Sequence, residues 1–283
     1  MKPEADHKSP FTPEAYAEMT AWFDSPLGQH LLTAERRLID QMLARRFGYH
    51  LLQLGCADLQ LHDKSPMGHK FSFRPWPCKE QGKGAGAGAG KEGTAGHAAI
   101  ADMEAIPLAS ESVDLVLLHH ALDFSPYQHQ LLREAERVLI AGGHLVIVGF
   151  NPMSSWGLRR RLQLFRRKAP WHASMLGTAR LIDWLKLLDF QVEQLRYGMY
   201  SLPVNSESVI RYSGLLDPVA AHLNWPTGGV YAISARKQVL PLTLVQTKWR
   251  TTMPVPGLGL PMPDKVGQVA RNRVIASNED RMS

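Results

Sequence analysis

The feature that most constrains the fold is a pair of apolar runs separated by a helical stripe. Residues 113–120, VDLVLLHH, and residues 144–150, HLVIVGF, are almost continuously apolar. Between them, residues 126–139 repeat apolar side chains at the spacing of one helix face, and the AGG of residues 141–143 is predicted to end this helix. Two buried strands joined through a helix form a parallel pair, whose sheet needs cover on both faces.

The same alternation extends in both directions from this unit. Apolar side chains recur at helical spacing over residues 29–47, where Gly48 is the predicted C-cap, and again over residues 178–190. Further strands are predicted at residues 50–54, 70–75, 97–101, 191–198 and 228–237. The sequence therefore predicts a three-layer α/β/α sandwich around a mainly parallel, Rossmann-like sheet.

This predicted domain spans residues 29–237, between an N-terminal extension of residues 1–28 and a proline-containing tail of residues 238–283 that we expect to be disordered. Residues 82–96, GKGAGAGAGKEGTAG, predict a flexible surface loop, because glycine at every second position leaves few side chains to bury. A phosphate-cradling loop is the alternative, although the lysine and serine or threonine pair of a P-loop is missing.

Composition restricts the class of protein further. The two cysteines, Cys56 and Cys78, provide no disulfide framework, which favours a reducing, cytoplasmic compartment. No stretch of about 18 apolar residues is present, so we expect no transmembrane segment. The twelve histidines are scattered, and His119 and His120 are expected to face opposite sides of a strand, so no metal site is predicted.

Several separated motifs follow one another between residues 101 and 150. They are Asp102 after a strand, Val113-Asp114, Leu122-Asp123 at a helix start, and Arg137 to Gly143, RVLIAGG, before the next strand. In this order they resemble the second half of class I S-adenosylmethionine-dependent methyltransferases, specifically the methyltransferase type 11 group. The resemblance covers about residues 49–150. It implies transfer of a methyl group from S-adenosylmethionine to an acceptor that the sequence does not identify.

The resemblance also implies roles for residues at the carboxyl ends of the strands. Asp102 would accept a hydrogen bond from the adenine amino group while Met103 packs on the ring, and capping of the next turn is the alternative for Asp102. His119 would face the methionine side of the cofactor or be a satisfied strand-end histidine. His119 and His120 are the base candidates, whereas Asp114 and Arg137 are expected to support the fold.

The loop after the first strand departs from the family pattern of acidic-x-Gly-x-Gly-x-Gly. Gly55, Cys56 and Ala57 are the expected cofactor-contacting residues of this loop. Gln53 stands at the acidic position, only Gly55 of the three glycines is kept, and the short connection to the next strand predicts a helix that is very short or absent. The alternative function is therefore a methyltransferase-fold protein that has lost cofactor binding and serves as a binding or regulatory module.

A basic insertion, residues 151–172, follows the strand that ends at residue 150. Leu158, Leu162 and Phe165 lie at helical spacing and predict an amphipathic helix, and the segment holds as many positive charges as the whole chain has net charge, +6. The charges are those of Arg159, Arg160, Arg161, Arg166, Arg167 and Lys168. They could bind phosphates, as in RNA or nucleotide substrates, lie on an anionic membrane surface, or be solvated on a lid helix. Residues 199–226 predict a cap insertion that contains a helix with Asn205 or Ser206 as its N-cap.

Overall fold

The computed structural model describes residues 12–55, 60–75, 98–162, 173–203 and 223–238. The chain divides into a compact unit of residues 1–240 and a second unit of residues 241–283, and every described residue belongs to the first. The glycine-rich loop of residues 82–96, the cap helix with Asn205 or Ser206 as its predicted N-cap, and residues 239–283 of the predicted tail lie outside the described residues.

The described residues form helices and strands that alternate along most of the chain. The helices are α1 (Pro13–Phe23), α2 (Pro26–Leu43), α3 (Ala121–Phe124), α4 (Gln128–Val138), α5 (Ser155–Leu162) and α6 (Thr178–Leu187). The strands are β1 (His50–Gly55), β2 (His69–Arg74), β3 (Ala98–Ile100), β4 (Val113–His119), β5 (Leu139–Phe150), β6 (Phe190–Gly198) and β7 (Val230–Lys237).

The seven strands form one sheet in the order β3-β2-β1-β4-β5-β7-β6. β7 runs antiparallel to both of its neighbours, and the remaining neighbouring pairs are parallel. The strand order reverses between β1 and β4, and ligands of open α/β sheets bind beyond the carboxyl ends of the strands at such a switch point. The predicted mainly parallel sandwich is confirmed.

Alternate residues of the central strands enter two separate cores. Leu51 and Leu115 pack with α1 and α2 on one face of the sheet. Leu52 and Val116 pack with α4 and α6 on the other. This division follows from the two-residue period of a strand, which sends neighbouring side chains to opposite faces.

Two predicted helix ends are wrong. α2 ends at Leu43 with Ala44 as its C-cap, and not at Gly48, so six residues separate the helix from β1. α4 ends at Val138, and β5 begins directly at Leu139 and runs through the AGG of residues 141–143. The Lys237 ammonium donates to the carbonyl oxygens of Glu136 and Leu139 at 2.8 and 3.1 Å, so a tertiary contact satisfies the end of α4 where we had expected a glycine cap.

The connection from β1 to β2 contains no helix within its described residues, 60–68, which agrees with the predicted short or missing helix. These residues pack on the domain directly, and Leu61 and Met67 are each only 3% exposed. None of the described helices is long and apolar enough to span a membrane.

Candidate cofactor site

A cavity of about 460 Å³ opens at the carboxyl end of β3, at the same edge of the sheet as the carboxyl ends of the parallel strands β1 and β4. Its wall combines apolar groups with two carboxylates: Pro75, Ile100, Ala101, Asp102, Met103, Glu104 and Pro126. The volume lies within the range of about 300–1,000 Å³ typical of small-ligand sites. Asp102 and Met103, which the sequence assigned to the adenine, both line this cavity.

Asp102 has two roles open to it in this position. Its Oδ1 accepts a hydrogen bond from the Glu104 backbone N–H at 2.9 Å, so the side chain does cap the following turn. The residue is nevertheless exposed on the cavity wall, and its carboxylate is available to a ligand amino group. Glu104 accepts a hydrogen bond from the Ser125 hydroxyl at 3.1 Å, and burial raises the pKa of its carboxyl group.

A second, much smaller cavity of about 10 Å³ lies beside Gly55 and shares Pro75 and Met103 with the first. Tyr16 of α1 and His120 also line it. The Tyr16 hydroxyl donates to the Gly55 carbonyl oxygen at 3.2 Å. The N-terminal helix therefore reaches the end of β1, where the methionine end of the cofactor was expected. The other two residues predicted there, Cys56 and Ala57, lie outside the described residues.

His119 and His120 do not face opposite sides of the strand, and that prediction is wrong. β4 ends at His119, and His120 adopts a left-handed backbone conformation, with φ of 53°, that turns its ring back. His119 Nε2 lies 2.9 Å from one carboxylate oxygen of Glu35, and His120 Nε2 lies 2.7 Å from the other. His120 Nδ1 lies 2.8 Å from Asp123 Oδ2. All four side chains are fully or almost fully buried.

The charges of this cluster follow from its contacts. Burial would raise the pKa of Glu35, but the charge of His120 and hydrogen bonds from both rings lower it to about 2. Burial would lower the pKa of His120, but Glu35 and Asp123 raise it to about 9, so its ring is an imidazolium at neutral pH in this arrangement. Burial lowers the pKa of His119 and raises that of Asp123.

As placed, the two histidines are poorly suited to act as bases. His120 has a carboxylate on each ring nitrogen, and the cavity it lines holds only about 10 Å³. His119 is 0% exposed, and its Nδ1 has no hydrogen-bond partner among the described residues. Either ring would need a rearrangement of its surroundings to reach a methyl acceptor.

The expected structural roles of Asp114 and Arg137 are confirmed. Asp114 Oδ2 accepts hydrogen bonds from the backbone N–H groups of Tyr49 and His50 at 3.1 and 2.8 Å, which fixes the start of β1. The Arg137 guanidinium donates to two carbonyl oxygens of the loop before β4 and pairs with Glu134 at 2.9 Å.

The basic insertion forms α5 within its described part. The face that packs on the domain carries Trp156, whose indole N–H donates to the Ser201 carbonyl oxygen at 3.1 Å. Leu158 and Leu162, which the sequence placed on the apolar face, are 59% and 76% exposed. Arg160 is half-buried, and burial lowers the pKa of its guanidinium against the opposing effect of Asp123. The structure does not describe Arg166, Arg167 and Lys168.

Sequence reasoning missed Tyr16, Glu35 and Glu104. The signal for Glu35 was its position on the apolar face of α2, four residues after Leu31 and three before Leu38, because an acidic residue on such a face needs a partner in the core. Glu104 lies two residues beyond Asp102 in the same strand-end loop. Tyr16 gave no local signal, since its role depends on where α1 packs.

Comparisons with known proteins agree with this architecture. The chain is 32% identical over 245 residues to the uncharacterized protein YafS of Escherichia coli K12, covering 86% of this chain and 90% of that protein. The methyltransferase domain family of type 11 matches residues 80–147. The chain belongs to this family. Its fold is the Rossmann-like fold of class I methyltransferases.

Solved structures show the same fold at low sequence identity. The chain superposes with a TM-score of 0.56 on a chain of the complex between the Haloferax volcanii Trm112 methyltransferase activator and a methyltransferase, at 15% identity over 80% of this chain and 96% of that one. An S-adenosylmethionine-dependent methyltransferase from Thermotoga maritima gives a TM-score of 0.53 at 19% identity, over 77% and 93% of the two chains.

Proposed function

We propose that the protein is an S-adenosylmethionine-dependent methyltransferase. The observation that carries the proposal is the cavity of about 460 Å³ that brings Asp102 and Met103 together at the carboxyl end of β3. A carboxylate that accepts a hydrogen bond and a thioether that packs on a ring fit the adenine of the cofactor. Family membership supports the same assignment.

The described residues fit the adenosyl part of the cofactor better than its methionine part. Asp102 and Met103 would hold the adenine, and Gly55 would lie beside the methionine end. There, however, the Gly55 carbonyl oxygen is occupied by Tyr16, and Gln53 Oε1 accepts from the Leu61 backbone N–H at 3.3 Å. Tyr16 thus forms a wall at the position expected for the methionine end.

When bound, S-adenosylmethionine supplies a methyl group activated by a sulfonium centre. The contribution of this chain is to position the cofactor and the acceptor, since direct displacement needs little acid–base chemistry from the protein. The geometry gives His119 and His120 no direct part in that positioning. The described residues do not identify the class of molecule that accepts the methyl group.

Calorimetric titration with S-adenosylhomocysteine tests the proposal. We expect micromolar binding, and absence of heat at millimolar ligand would refute cofactor binding.

Two variants of Asp102 test its role in adenine binding. Asp102→Asn keeps an oxygen that can cap the turn at Glu104 but removes the charge, whereas Asp102→Ala removes both. If Asp102 binds the adenine, both variants should weaken affinity by about 10-fold or more, because a hydrogen bond to a charged group contributes about 1.5–3 kcal/mol. Wild-type affinity in Asp102→Asn would restrict Asp102 to capping.

The occupied methionine end favours one alternative, a methyltransferase-fold module without cofactor binding. In that case the basic residues of α5 would provide a contact surface for nucleic acid or an anionic membrane. Arg161 is the exposed member of the described group Arg159, Arg160 and Arg161. Absence of S-adenosylhomocysteine binding, together with RNA or anionic-vesicle binding that weakens with salt and falls in Arg161→Ala, would support this alternative.

A further inference from the structure

Three ligand-type side chains converge where α2 meets the carboxyl end of β4. His119 and His120 each place Nε2 against a different oxygen of Glu35, and the ligand atoms all lie within 4.8 Å of one another. All three residues are 0% exposed. We propose that Glu35, His119 and His120 form a binding site for a divalent transition metal ion, with Zn²⁺ as the best match.

The donor set determines the choice of metal. Two imidazole nitrogens and a carboxylate suit Zn²⁺, Fe²⁺ and related ions. The two oxygens of Glu35 face the two rings separately, so a carboxylate that binds through both oxygens would supply four donor atoms in a distorted four-coordinate site. Iron sites with two histidines and one carboxylate keep open positions for a substrate, whereas this cluster is closed to solvent. A structural zinc ion fits the closed arrangement.

A second carboxylate, that of Asp123, contacts the other ring nitrogen of His120 and supports the assignment. Asp123 Oδ2 lies 2.8 Å from His120 Nδ1 and also accepts a hydrogen bond from the Phe150 backbone N–H at 2.9 Å. A histidine that binds a metal through one nitrogen usually donates its other N–H to a carboxylate or carbonyl, which fixes the tautomer and the ring orientation. Asp123 is placed for that function.

Metal binding requires a small expansion of the cluster. The nitrogen-to-oxygen separations of 2.7 and 2.9 Å are those of direct hydrogen bonds. With bonds of about 2.0–2.1 Å and a near-tetrahedral angle between them, a ring nitrogen and a carboxylate oxygen on the same ion lie about 3.3 Å apart. The side chains must therefore separate by about half an ångström as the ion replaces the protons between them.

Metal analysis of the full chain tests the proposal without using methyl transfer as a readout. We expect purified protein to contain close to one equivalent of zinc by mass spectrometry. Chelator treatment should remove the zinc and lower the melting temperature, and titration with Zn²⁺ should restore both. Co²⁺ in its place should give the intense visible absorption of a four-coordinate site. Protein without zinc, whose melting temperature does not respond to added Zn²⁺ or Co²⁺, would overturn the proposal.

Matched variants locate the bound ion. Glu35→Gln and His119→Ala should abolish stoichiometric binding, and Asp123→Asn should weaken affinity by about 10- to 100-fold while keeping the stoichiometry. The control is His69→Gln, because the exposed pair His50 and His69 has its Nδ1 atoms only 3.0 Å apart and can bind metal adventitiously.

The control also provides an independent refutation. If His69→Gln abolishes the binding, or if folded Glu35→Gln retains it at wild-type affinity, the buried site is excluded. If the buried variants do not fold, the wild-type titrations and the His69→Gln control still decide the question.

Discussion

At Gly55, the fold requires glycine at a position where the family pattern of the cofactor loop also has glycine. Its φ is +107°, and a Cβ at this position would lie 2.1 Å from the carbonyl oxygen of His119 and 3.1 Å from the Ala121 backbone nitrogen. β1 and β4 are in register at this point, with Gly55 opposite His119. The close approach of the two strand ends therefore requires glycine whether or not a cofactor binds. The surviving glycine of the first loop is by itself weak support for cofactor binding.

We expect Gly55→Ala to lower the free energy of unfolding by at least about 2 kcal/mol, because the new Cβ meets backbone atoms in a left-handed conformation. Gly68→Ala is the matched control, since the nearest atoms to its Cβ belong to the Tyr49 side chain at 3.9 Å. Urea denaturation of both variants measures the difference. Equal free energies of unfolding for the two would show that the close approach at Gly55 is not restrictive.

At the scale of elements, the described part of the connection from β1 to β2, residues 60–68, is a packed loop without a helix. Leu61 and Met67 enter the core beside α1 and α2. Gln53, at the position where the family carries an acid, accepts a hydrogen bond from the Leu61 backbone N–H at 3.3 Å. A neutral side chain there anchors the described part of the connection to the end of β1. Gln53 departs from the family pattern but contributes to the fold through this contact.

The same connection should make stability depend on pH. His62 is 3% exposed, and burial lowers its pKa from the ordinary value of 6.5. Below about pH 6.5 the unfolded chain therefore binds a proton on His62 more readily than the folded chain does. The free energy of unfolding consequently decreases as pH falls below that value, by up to about 1.4 kcal/mol per pH unit.

We expect His62→Gln to reduce the loss of unfolding free energy between about pH 6.5 and about pH 5, because the glutamine side chain does not titrate. The exposed His129 provides the matched control, His129→Gln. Denaturant unfolding at several pH values measures both slopes. A wild-type slope in His62→Gln would assign the acid sensitivity to other groups.

At the scale of the whole molecule, stability should decrease from the centre of the sheet to its edges. The apolar residues of β4 and β5 pack into both cores, whereas β3 has three residues and leaves Ile100 57% exposed. Strands that are paired and covered on both sides open only with global unfolding, while a short edge strand can open locally.

Hydrogen exchange followed by mass spectrometry should show this gradient. We expect peptides of β4 and β5 to exchange with the free energy of global unfolding, and peptides of β3 to exchange faster by at least about 100-fold, equivalent to about 2.7 kcal/mol. Peptides of β1 provide an internal reference for a covered strand. Equal protection of β3 and β4 would mean that the edge unfolds only together with the centre.

The sequence by itself determined the layered sandwich, the main strands and the position of Asp102 and Met103 at a strand end. These features follow from local periods of two and 3.6 residues and from the rule that ligands bind at the carboxyl ends of parallel strands. Only the tertiary structure decided that Glu35 binds His119 and His120, 84 and 85 residues away, and that Tyr16 reaches Gly55. It also decided that β5 begins directly after α4 and that His120 turns back from β4. Such contacts depend on how helices lie across the sheet, and no local pattern of residues encodes that placement.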